Sequence, residues 1–282
     1  MAVMLFADAR AFQHAVTPFL QAAEAEYNLL IGLIDQLARR WPDRCMYNDQ
    51  PALMAGLMDD QDPSRVAGVA LMTPPHKLIL SRMPAAQLAQ LFDTLGSAAI
   101  LVPGINGPDE VVQDFASRWR ARAGRSATLQ RGMRIYQLDR VLLAQRSPGS
   151  LRLAQAADLP VIMPWAEDFD RTTASACRTH IEQLVRDQQV YLWQSTAGVP
   201  LAMAGWMGRT QNGGRIGNVY TPPGLREQGF GSSVVAGLSQ ILLDQGRRFC
   251  FLYTELHNPT SNHIYQVIGY RPICDCQEWH LS

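Results

Sequence analysis

The sequence has no excess charge of either sign and no long apolar run. Its 282 residues include 25 Lys and Arg against 25 Asp and Glu, so the formal net charge is zero and the isoelectric point is near 7.0. A nucleic-acid-binding protein usually carries a basic surface, so this balance argues against nucleic acid as a partner. No stretch approaches the roughly 20 apolar residues of a membrane-spanning helix, and we expect no membrane partner. Hydrophobic residues make up 47% of the chain, enough for one large domain or two ordinary ones.

Cysteine is scarce, and its spacing does not match a metal site. The chain contains no C-x-x-C pair, and its odd number of cysteines consists of Cys45, Cys177, Cys250, Cys274 and Cys276. Cys274 and Cys276 lack a second Cys or His pair at a zinc spacing, so we predict no metal. The N-terminal stretch MAVMLFADAR has no basic segment before its apolar run, which argues against a signal peptide. We therefore expect a cytoplasmic protein with reduced thiols.

Two common phosphate-binding motifs are also missing. No segment matches the P-loop pattern G-x-x-x-x-G-K-[ST], which excludes ATP binding by that route. The segment GFGSSV lacks the third glycine of the dinucleotide-binding fingerprint, and a long loop precedes Gly231. Phe249 stands where that fingerprint needs an acidic residue. Dinucleotide binding therefore fits poorly.

The chain divides into two halves. The segment QRSPGS at 145–150 is rich in turn-forming residues and predicts a linker between domains at 1–145 and 150–282. In the first half, the pattern predicts an amphipathic helical run at 9–40, strands at 51–58, 65–75 and 76–82, a helix at 84–97, a strand at 98–104, a helix at 108–124 and a strand at 132–141.

The second half repeats this order. Its pattern predicts helices at 156–171 and 172–187, strands at 189–195, 199–210 and 214–223, a helix at 232–246, a strand at 247–256, a helix at 259–269 and a strand at 274–281. The tripeptide TPP follows a strand in both halves, at 73–75 and 221–223. The shared order favours a duplicated fold.

The segment TPPGLREQGFG at 221–231 connects a predicted strand to a predicted amphipathic helix. It places Arg226, Gly229 and Gly231 in the pattern Arg-x-x-Gly-x-Gly, with Ser232 at the start of the helix. Backbone N–H groups at a helix N-terminus attract a pyrophosphate, glycines leave those groups open, and an arginine adds a permanent positive charge. A turn that only connects strand to helix is the alternative.

The segments VYTPPGLREQGFGSSVVAGLSQILL and FLYTELHNPTSNHIYQVIGY together resemble the GCN5-related N-acetyltransferase (GNAT) superfamily. The resemblance covers about 150–282 and is strongest over 214–270. It implies an α/β fold of two GNAT-like domains, each a mixed, mostly antiparallel sheet flanked by helices. It also implies acetyl-CoA as acyl donor and a primary amine of a small molecule or peptide as acceptor. The equivalent loop of the first half, LILSRMPAAQL, has no glycine, which indicates a degenerate domain without cofactor binding.

The resemblance also implies which residues contact the cofactor. The pyrophosphate would bind the amides of Arg226, Glu227, Gln228, Gly229, Phe230, Gly231 and Ser232. The pantetheine would run beside Val219, Tyr220 and Thr221, where a backbone N–H near Tyr220 would polarise the thioester carbonyl. Asn258, Ser261 and Tyr265 share one face of the last predicted helix. Asn258 would contact the pantetheine amide, and Tyr265 would be the general acid for the leaving thiolate.

Several assignments remain open at the level of sequence. Tyr265 could instead be an ordinary half-buried aromatic residue. Many members of the superfamily that this chain resembles carry a Glu on the strand before the glycine loop, but here that strand has none. Glu255, Glu167 and Asp168 are therefore the candidates for the base, and deprotonation through water is a further alternative. We expect His263 to face solvent. Four tryptophans are expected in the core or cleft wall: Trp165, Trp193, Trp206 and Trp279.

Two other functions compete with acetyl transfer. Because the strand Glu is missing, the protein could be a catalytically silent CoA-binding sensor or scaffold. If the loop pattern is a coincidence, it could be a pure interaction protein.

Overall fold

The computed structural model describes residues 3–142, 146–170 and 174–282. The predicted linker residue Gln145 and the predicted helix residues 171–173 lie outside these ranges. The chain forms two compact units. Unit 1 consists of Met1–Ile135, Glu255–His257 and Ile273–Ser282, and unit 2 consists of Tyr136–Thr254 and Asn258–Pro272.

Strands and helices follow the same order in the two halves of the chain. The elements of the first half are β1 (Val3–Leu5), α1 (Ala9–Gln21), α2 (Asn28–Arg40), β2 (Leu53–Met58), β3 (Val66–Met72), β4 (Leu78–Leu80), α3 (Ala85–Ser97), β5 (Gly104–Pro108), α4 (Asp109–Arg120) and β6 (Ala127–Leu138). Those of the second half are β7 (Ser150–Leu153), α5 (Leu159–Asp170), α6 (Ala174–Arg186), β8 (Val190–Gln194), β9 (Pro200–Arg209), β10 (Gly213–Tyr220), α7 (Phe230–Asp244), β11 (Phe249–Glu255), α8 (Pro259–Ile268) and β12 (Arg271–Leu281). This order supports the predicted duplication.

The sheet of unit 1 has the strand order β1-β2-β3-β4-β5-β12, followed by the first part of β6. Neighbours from β1 to β4 pair antiparallel, β4 and β5 pair parallel, and β5 and β12 pair antiparallel. The last of these pairs runs from Cys276 opposite Pro108 to His280 opposite Gly104. A C-terminal strand therefore completes the sheet of the unit that holds the N-terminus.

The sheet of unit 2 has the strand order β7-β8-β9-β10-β11, followed by the end of β6. The pairs from β7 to β10 are antiparallel, and β10 and β11 pair parallel. In both units the single described parallel pair flanks the connecting helix, α3 in unit 1 and α7 in unit 2. The predicted mixed, mostly antiparallel sheets are confirmed.

Helices cover both faces of each sheet because strand residues alternate between faces. In unit 1, Met54 packs with α1 and α2, and the adjacent Ala55 packs with α3 and α4. In unit 2, Leu192 packs with α5 and α6, and the adjacent Trp193 packs with α7 and α8. Burial of each large apolar side chain contributes roughly 1.5–3 kcal/mol, so these four layers of core hold the two sheets in place.

Two predicted elements differ from the structure. The apolar stretch at 98–104 was predicted as a strand, but the strand is β5, Gly104–Pro108. A Cβ on Gly104 would lie 2.4 Å from the Trp279 carbonyl oxygen, so close backbone approach to β12 selects this glycine. Val102 still packs in the core, which explains the misleading apolar run. The predicted helical run at 9–40 is interrupted between Gln21 and Asn28, and both resulting helices pack on one face of the sheet.

The compact units also divide the chain differently from the predicted boundary at 145–150. Residues 136–142 belong to unit 2, because Tyr136 and Leu138 pack in its core. Residues 273–282 belong to unit 1, because β12 pairs with β5 and Leu281 packs in the core of unit 1. No helix in the described part of the chain is long and apolar enough to cross a membrane.

Candidate functional site

The parallel pairing of β10 and β11 ends before either strand does. The last paired residues are Ile216 and Leu252, whereas β10 continues to Tyr220 and β11 to Glu255. Beyond this point, the described pairs of β10 are those with β9. The edge of β10 at 217–220 that faces away from β9 is therefore free for a ligand with amide groups, which could extend the ladder.

A β-bulge changes the direction of the β10 backbone between Gly217 and Tyr220. Gly217 pairs with Gly205 and Tyr220 with Met203, so three steps on β10 oppose two on β9. Asn218 lies in this bulge with φ of 50°, a conformation that Asn tolerates better than most residues. The side-chain Nδ2 of Asn218 is buried and has no hydrogen-bond partner among the described residues. Buried donors of this kind are rare, so Asn218 is a functional candidate that sequence analysis missed. The sequence feature that could have identified it is a polar Asn within a largely apolar predicted strand.

The glycine loop leaves the N-terminus of α7 without a side-chain cap. A short 3-10 turn at Pro223–Leu225 follows the strand, as expected for two prolines that end a ladder. Gly229 is the N-cap residue with φ of 77°, and within the described residues α7 has no side-chain cap hydrogen bond. Residues 226–229 are exposed. The first N–H groups of a helix have no intrahelical partner, so this terminus suits an anion.

Ser147, from the predicted linker, holds this loop. Its Oγ donates to the Gln228 carbonyl oxygen at 2.7 Å, and its N–H donates to Ser233 Oγ at 2.9 Å. A Cβ on Gly229 would lie 2.6 Å from Ser147 Oγ. The structure therefore shows two reasons for a glycine at position 229 besides an open anion site. One is its positive φ, and the other is the close approach of Ser147. No local pattern could have shown this, because 81 residues separate Ser147 from Gln228.

Arg226 lies at the junction of strand and loop. Its Nε donates to the Thr221 carbonyl oxygen at 3.1 Å, and its guanidinium carbon lies 5.9 Å from the centre of the Tyr220 ring. These contacts hold an exposed guanidinium beside the N-terminus of α7. Glu227 has φ of 65°, and its neighbour Gln228 is exposed.

Adjacent residues of β10 face opposite sides of the sheet. Val219 packs against the core of α7 and α8, whereas Tyr220 packs against that of α5 and α6. The Tyr220 hydroxyl donates to Asp168 Oδ2 at 2.6 Å, and the Trp165 ring lies 6.0 Å away. Burial, together with this hydrogen bond, raises the pKa of Tyr220. Of the three base candidates, Asp168 is thus the one hydrogen-bonded to the end of β10.

Helix α8 begins as predicted and carries Tyr265 into the core. Asn258 is its N-cap, and its Oδ1 accepts from the Ser261 N–H at 3.0 Å. Asn258 is exposed and Ser261 half-buried, whereas Tyr265 is buried. The three residues share one helical face but differ in depth. Only Tyr265 lies in the core cluster beside α7.

The Tyr265 ring packs against two other tyrosines. Its centre lies 6.2 Å from that of Tyr136 and 6.0 Å from that of Tyr270. Desolvation raises the pKa of Tyr265 to about 12, so its phenol stays protonated at neutral pH. The Tyr136 hydroxyl donates to Asn262 Oδ1 at 2.9 Å, which connects the end of β6 to α8. Sequence analysis missed Tyr136 because it lies on the last strand of the first half.

The other two base candidates, His263 and the four tryptophans also have defined positions in the structure. Glu255 belongs to unit 1, where it lies 3.8 Å from Arg131, and Glu167 is exposed. His263 is exposed, as predicted. The predicted packing role of the tryptophans is confirmed: Trp193 is a core residue, and the partly buried ones pack against core clusters, namely Trp165, Trp206 and Trp279.

The corresponding loop of unit 1 is filled by ion pairs. Pro84 is the N-cap residue of α3, and Arg82 lies just before it. Arg82 Nε contacts Glu26 Oε1 at 2.7 Å, and Arg82 Nη1 contacts the Glu110 carboxylate. The two carboxylates that pair with this guanidinium would repel a phosphate at this loop.

Comparison with known proteins agrees with this geometry. Residues 196–280 match the family model described as FR47-like protein, and the curated proteins contain no match. An acetyltransferase of the GNAT family from Colwellia psychrerythraea is 14% identical, with a TM-score of 0.58 over 100% of this chain and 99% of that one. A GCN5-related N-acetyltransferase from Sphaerobacter thermophilus is 15% identical, with a TM-score of 0.60 over 99% and 95%.

A Drosophila protein is similar in fold as well. It is 14% identical, with a TM-score of 0.63 over 99% of this chain and 97% of that one. Identities this low show the shared fold, and the coverage extends it to both units, as predicted. Residues 196–280 therefore match the FR47-like family model, and the whole chain shares the fold of solved GCN5-related N-acetyltransferases.

Proposed function

We propose that unit 2 binds acetyl-CoA and transfers its acetyl group to a primary amine of a small molecule or peptide. The observation that carries this proposal is the meeting of two features at one end of β10. The free edge at 217–220 lies directly before the loop that leads to the uncapped N-terminus of α7. One feature suits the amides of pantetheine, and the other suits a pyrophosphate.

The residues present fit this cosubstrate. The pyrophosphate would accept from the amides of residues 226–232, with Arg226 adding charge. The pantetheine would run along Val219, Tyr220 and Thr221, and Asn258 and Ser261 lie on the helix expected to flank it. The unpartnered Nδ2 of Asn218 supports a bound carbonyl group at the bulge, because a ligand oxygen would satisfy it.

The chemistry assigned to this chain has three parts. The cosubstrate supplies a thioester, and a backbone N–H near Tyr220 would hold the carbonyl oxygen on which negative charge develops. Tyr265 would donate its phenolic proton to the sulfur that leaves. The acceptor must lose a proton before or during attack, and Asp168 is the base that we propose, held by the Tyr220 hydroxyl.

We propose that unit 1 does not bind CoA. Its loop lacks glycine, and Arg82 is paired with Glu26 and Glu110. Titration of the full chain should therefore show one CoA site per chain. A second saturable site would contradict this assignment.

The cytoplasm is the proposed compartment, since the cysteines whose side chains the structure describes are free thiols.

Binding and turnover test the proposal separately. Calorimetric titration of the full chain with CoA should give saturable binding that Arg226→Ala weakens about tenfold or more, the usual worth of a charge-assisted contact. Arg248→Ala is the matched control, since this exposed arginine lies beyond the opposite end of α7. Absence of CoA binding, or equal effects of the two variants, would overturn the loop assignment.

The enzymatic step is tested with a panel of primary amines. Thiol release from acetyl-CoA should increase with at least one amine and require an intact loop. Intact CoA binding without turnover on any amine would support the sensor or scaffold alternative, which the missing strand Glu favours.

A further inference from the structure

A pair of cysteine side chains in unit 1 lies outside the proposed acyl-transfer site. Cys274 and Cys276 are two residues apart on β12, so their side chains point to the same face of the strand. Their sulfur atoms lie 3.5 Å apart, and both are free thiols. Cys274 is buried and Cys276 partly exposed. Reagents can therefore reach the pair from the side of Cys276.

A cation contacts one of the two sulfurs. Arg82 Nη2 donates to Cys274 Sγ at 3.5 Å, and Arg82 Nε contacts Glu26 at 2.7 Å. An adjacent arginine favours the thiolate, the reactive form of cysteine. The hydrogen bond between the two thiols, together with burial, raises the pKa of Cys276. Cys276 is therefore a protonated neighbour of Cys274 at neutral pH.

Metal binding does not explain this cluster. No group of three or more His, Cys, Asp or Glu side chains suited to a metal occurs in the described ranges. Two thiols in contact beside an arginine are instead an arrangement suited to thiol oxidation.

We propose that Cys274 and Cys276 form a reversible dithiol/disulfide couple that a hydroperoxide oxidises. The Cys274 thiolate attacks one peroxide oxygen, an S–O bond forms, the O–O bond breaks, and the departing hydroxide takes a proton to leave as water. The Cys276 sulfur then attacks Cys274 sulfur, and the S–O bond breaks. The second hydroxide leaves as water with the Cys276 proton. Two thiols lose two electrons, and hydrogen peroxide is reduced to two waters.

The strand backbone makes the disulfide easy to reduce. Residues two apart on an extended strand have Cα atoms about 6.6 Å apart, near the upper limit of about 6.8 Å for disulfides. A bond at this limit is strained, and strain shifts thiol–disulfide exchange toward the reduced pair. A low-molecular-weight thiol should therefore restore both cysteines, so the modification is reversible.

Peptide mapping of the full chain tests the proposal. After treatment with limiting hydrogen peroxide and alkylation, the peptide with both cysteines should be lighter by two hydrogen atoms and carry no alkyl group. Reduced glutathione should reverse the change. Cys45→Ser is the matched control and should leave the oxidation intact, because Cys45 is a partly exposed thiol of the same unit.

The remaining outcomes separate a disulfide from simple over-oxidation. Cys276→Ser should accumulate a sulfenic acid at Cys274, which dimedone traps, and should form no intrachain disulfide. Arg82→Gln removes the charged N–H donor that contacts Cys274 Sγ and should slow oxidation about tenfold, while Arg82→Lys keeps a cation at this position and most of the rate. Two freely alkylatable thiols after peroxide, stable sulfinic acid in the wild type, or equal rates for both Arg82 variants would overturn the proposal.

Discussion

Tyr265 is a buried phenol whose pKa is raised to about 12 by desolvation. If it protonates the departing sulfur, Tyr265→Phe retains the ring contacts with Tyr136 and Tyr270 and removes only the proton donor. We expect kcat to fall roughly 10²-fold, the usual worth of a positioned general acid, with little change in the affinity for CoA. Steady-state kinetics on an identified amine and calorimetry with CoA measure the two effects.

Tyr270→Phe is the matched control for this substitution. The Tyr270 hydroxyl is fully buried against Ser239 Oγ at 2.7 Å, so its loss should reduce stability rather than kcat. An unchanged kcat in Tyr265→Phe would remove Tyr265 from the mechanism.

Cys250 determines part of the alkaline stability. Burial raises the pKa of Cys250 from 9.0 to about 12. The unfolded chain therefore loses this proton at a lower pH than the folded chain, and stability is lost as pH rises above 9. At pH 10 the loss from this thiol is about 1.4 kcal/mol. In urea denaturation, Cys250→Val should reduce the difference in unfolding free energy between pH 8 and pH 10 by about 1 kcal/mol.

The corresponding control is Cys45→Val, because Cys45 is partly exposed. The same reduction in both variants would show that Cys250 is not the cause.

Among the elements, the connection between β10 and α7 depends on one distant contact. Gly229→Ala places a Cβ on a residue with φ of 77° and 2.6 Å from Ser147 Oγ. The conformation alone should cost about 1–2 kcal/mol of stability. Adding Ser147→Gly should recover the part that comes from the overlap, which a double-mutant cycle by thermal unfolding measures.

Gly231→Ala provides the comparison within the same loop. Gly231 lies within α7, and its added Cβ would meet the Thr221 hydroxyl at 3.1 Å, so its cost should be below about 1 kcal/mol. If the two alanine variants are equally stable, the positive φ does not limit this loop.

At the scale of the whole molecule, the place of the C-terminal strand β12 in the sheet of unit 1 has a measurable consequence. Leu281 lies on β12 and packs in the core formed with α3 and α4. Leu281→Ala should destabilise unit 1 by about 2–4 kcal/mol. Hydrogen exchange should accelerate in residues 85–120, although the substitution is next to the C-terminus. Val267→Ala, on the exposed face of α8, should change little. Loss of protection confined to α7 and α8 would contradict this division of the chain.

The second half was the easier part to predict, because its candidate functional features are contiguous. The loop pattern at 221–231 and the cap and glycine of α8 are local signals, and the structure has the helices where these signals place them. The roles of Arg226, Tyr265 and their neighbours remain predictions that the experiments above test. The Asn218 bulge was less visible, because a bulge depends on the partner strand β9 as much as on its own residues.

Periodic apolar residues were sufficient to predict most helices and strands, since the pattern of burial follows directly from helix and strand geometry. Charge and composition were sufficient to argue against nucleic acid. Local patterns could not identify β5, because Ile100 and Val102 pack in the core without strand pairing, and Gly104–Pro108 pairs because its backbone approaches Trp279 closely.

Contacts between distant residues depended on the folded chain. Ser147 at the glycine loop, Tyr136 beside Tyr265, and Arg82 beside Cys274 each join segments far apart in sequence. Such contacts arise when whole elements pack, and packing minimises the exposed apolar surface of the entire core rather than of one segment. Local propensities therefore specified the elements of this protein. The place of β12 in unit 1 and the neighbours of each candidate functional side chain followed from packing.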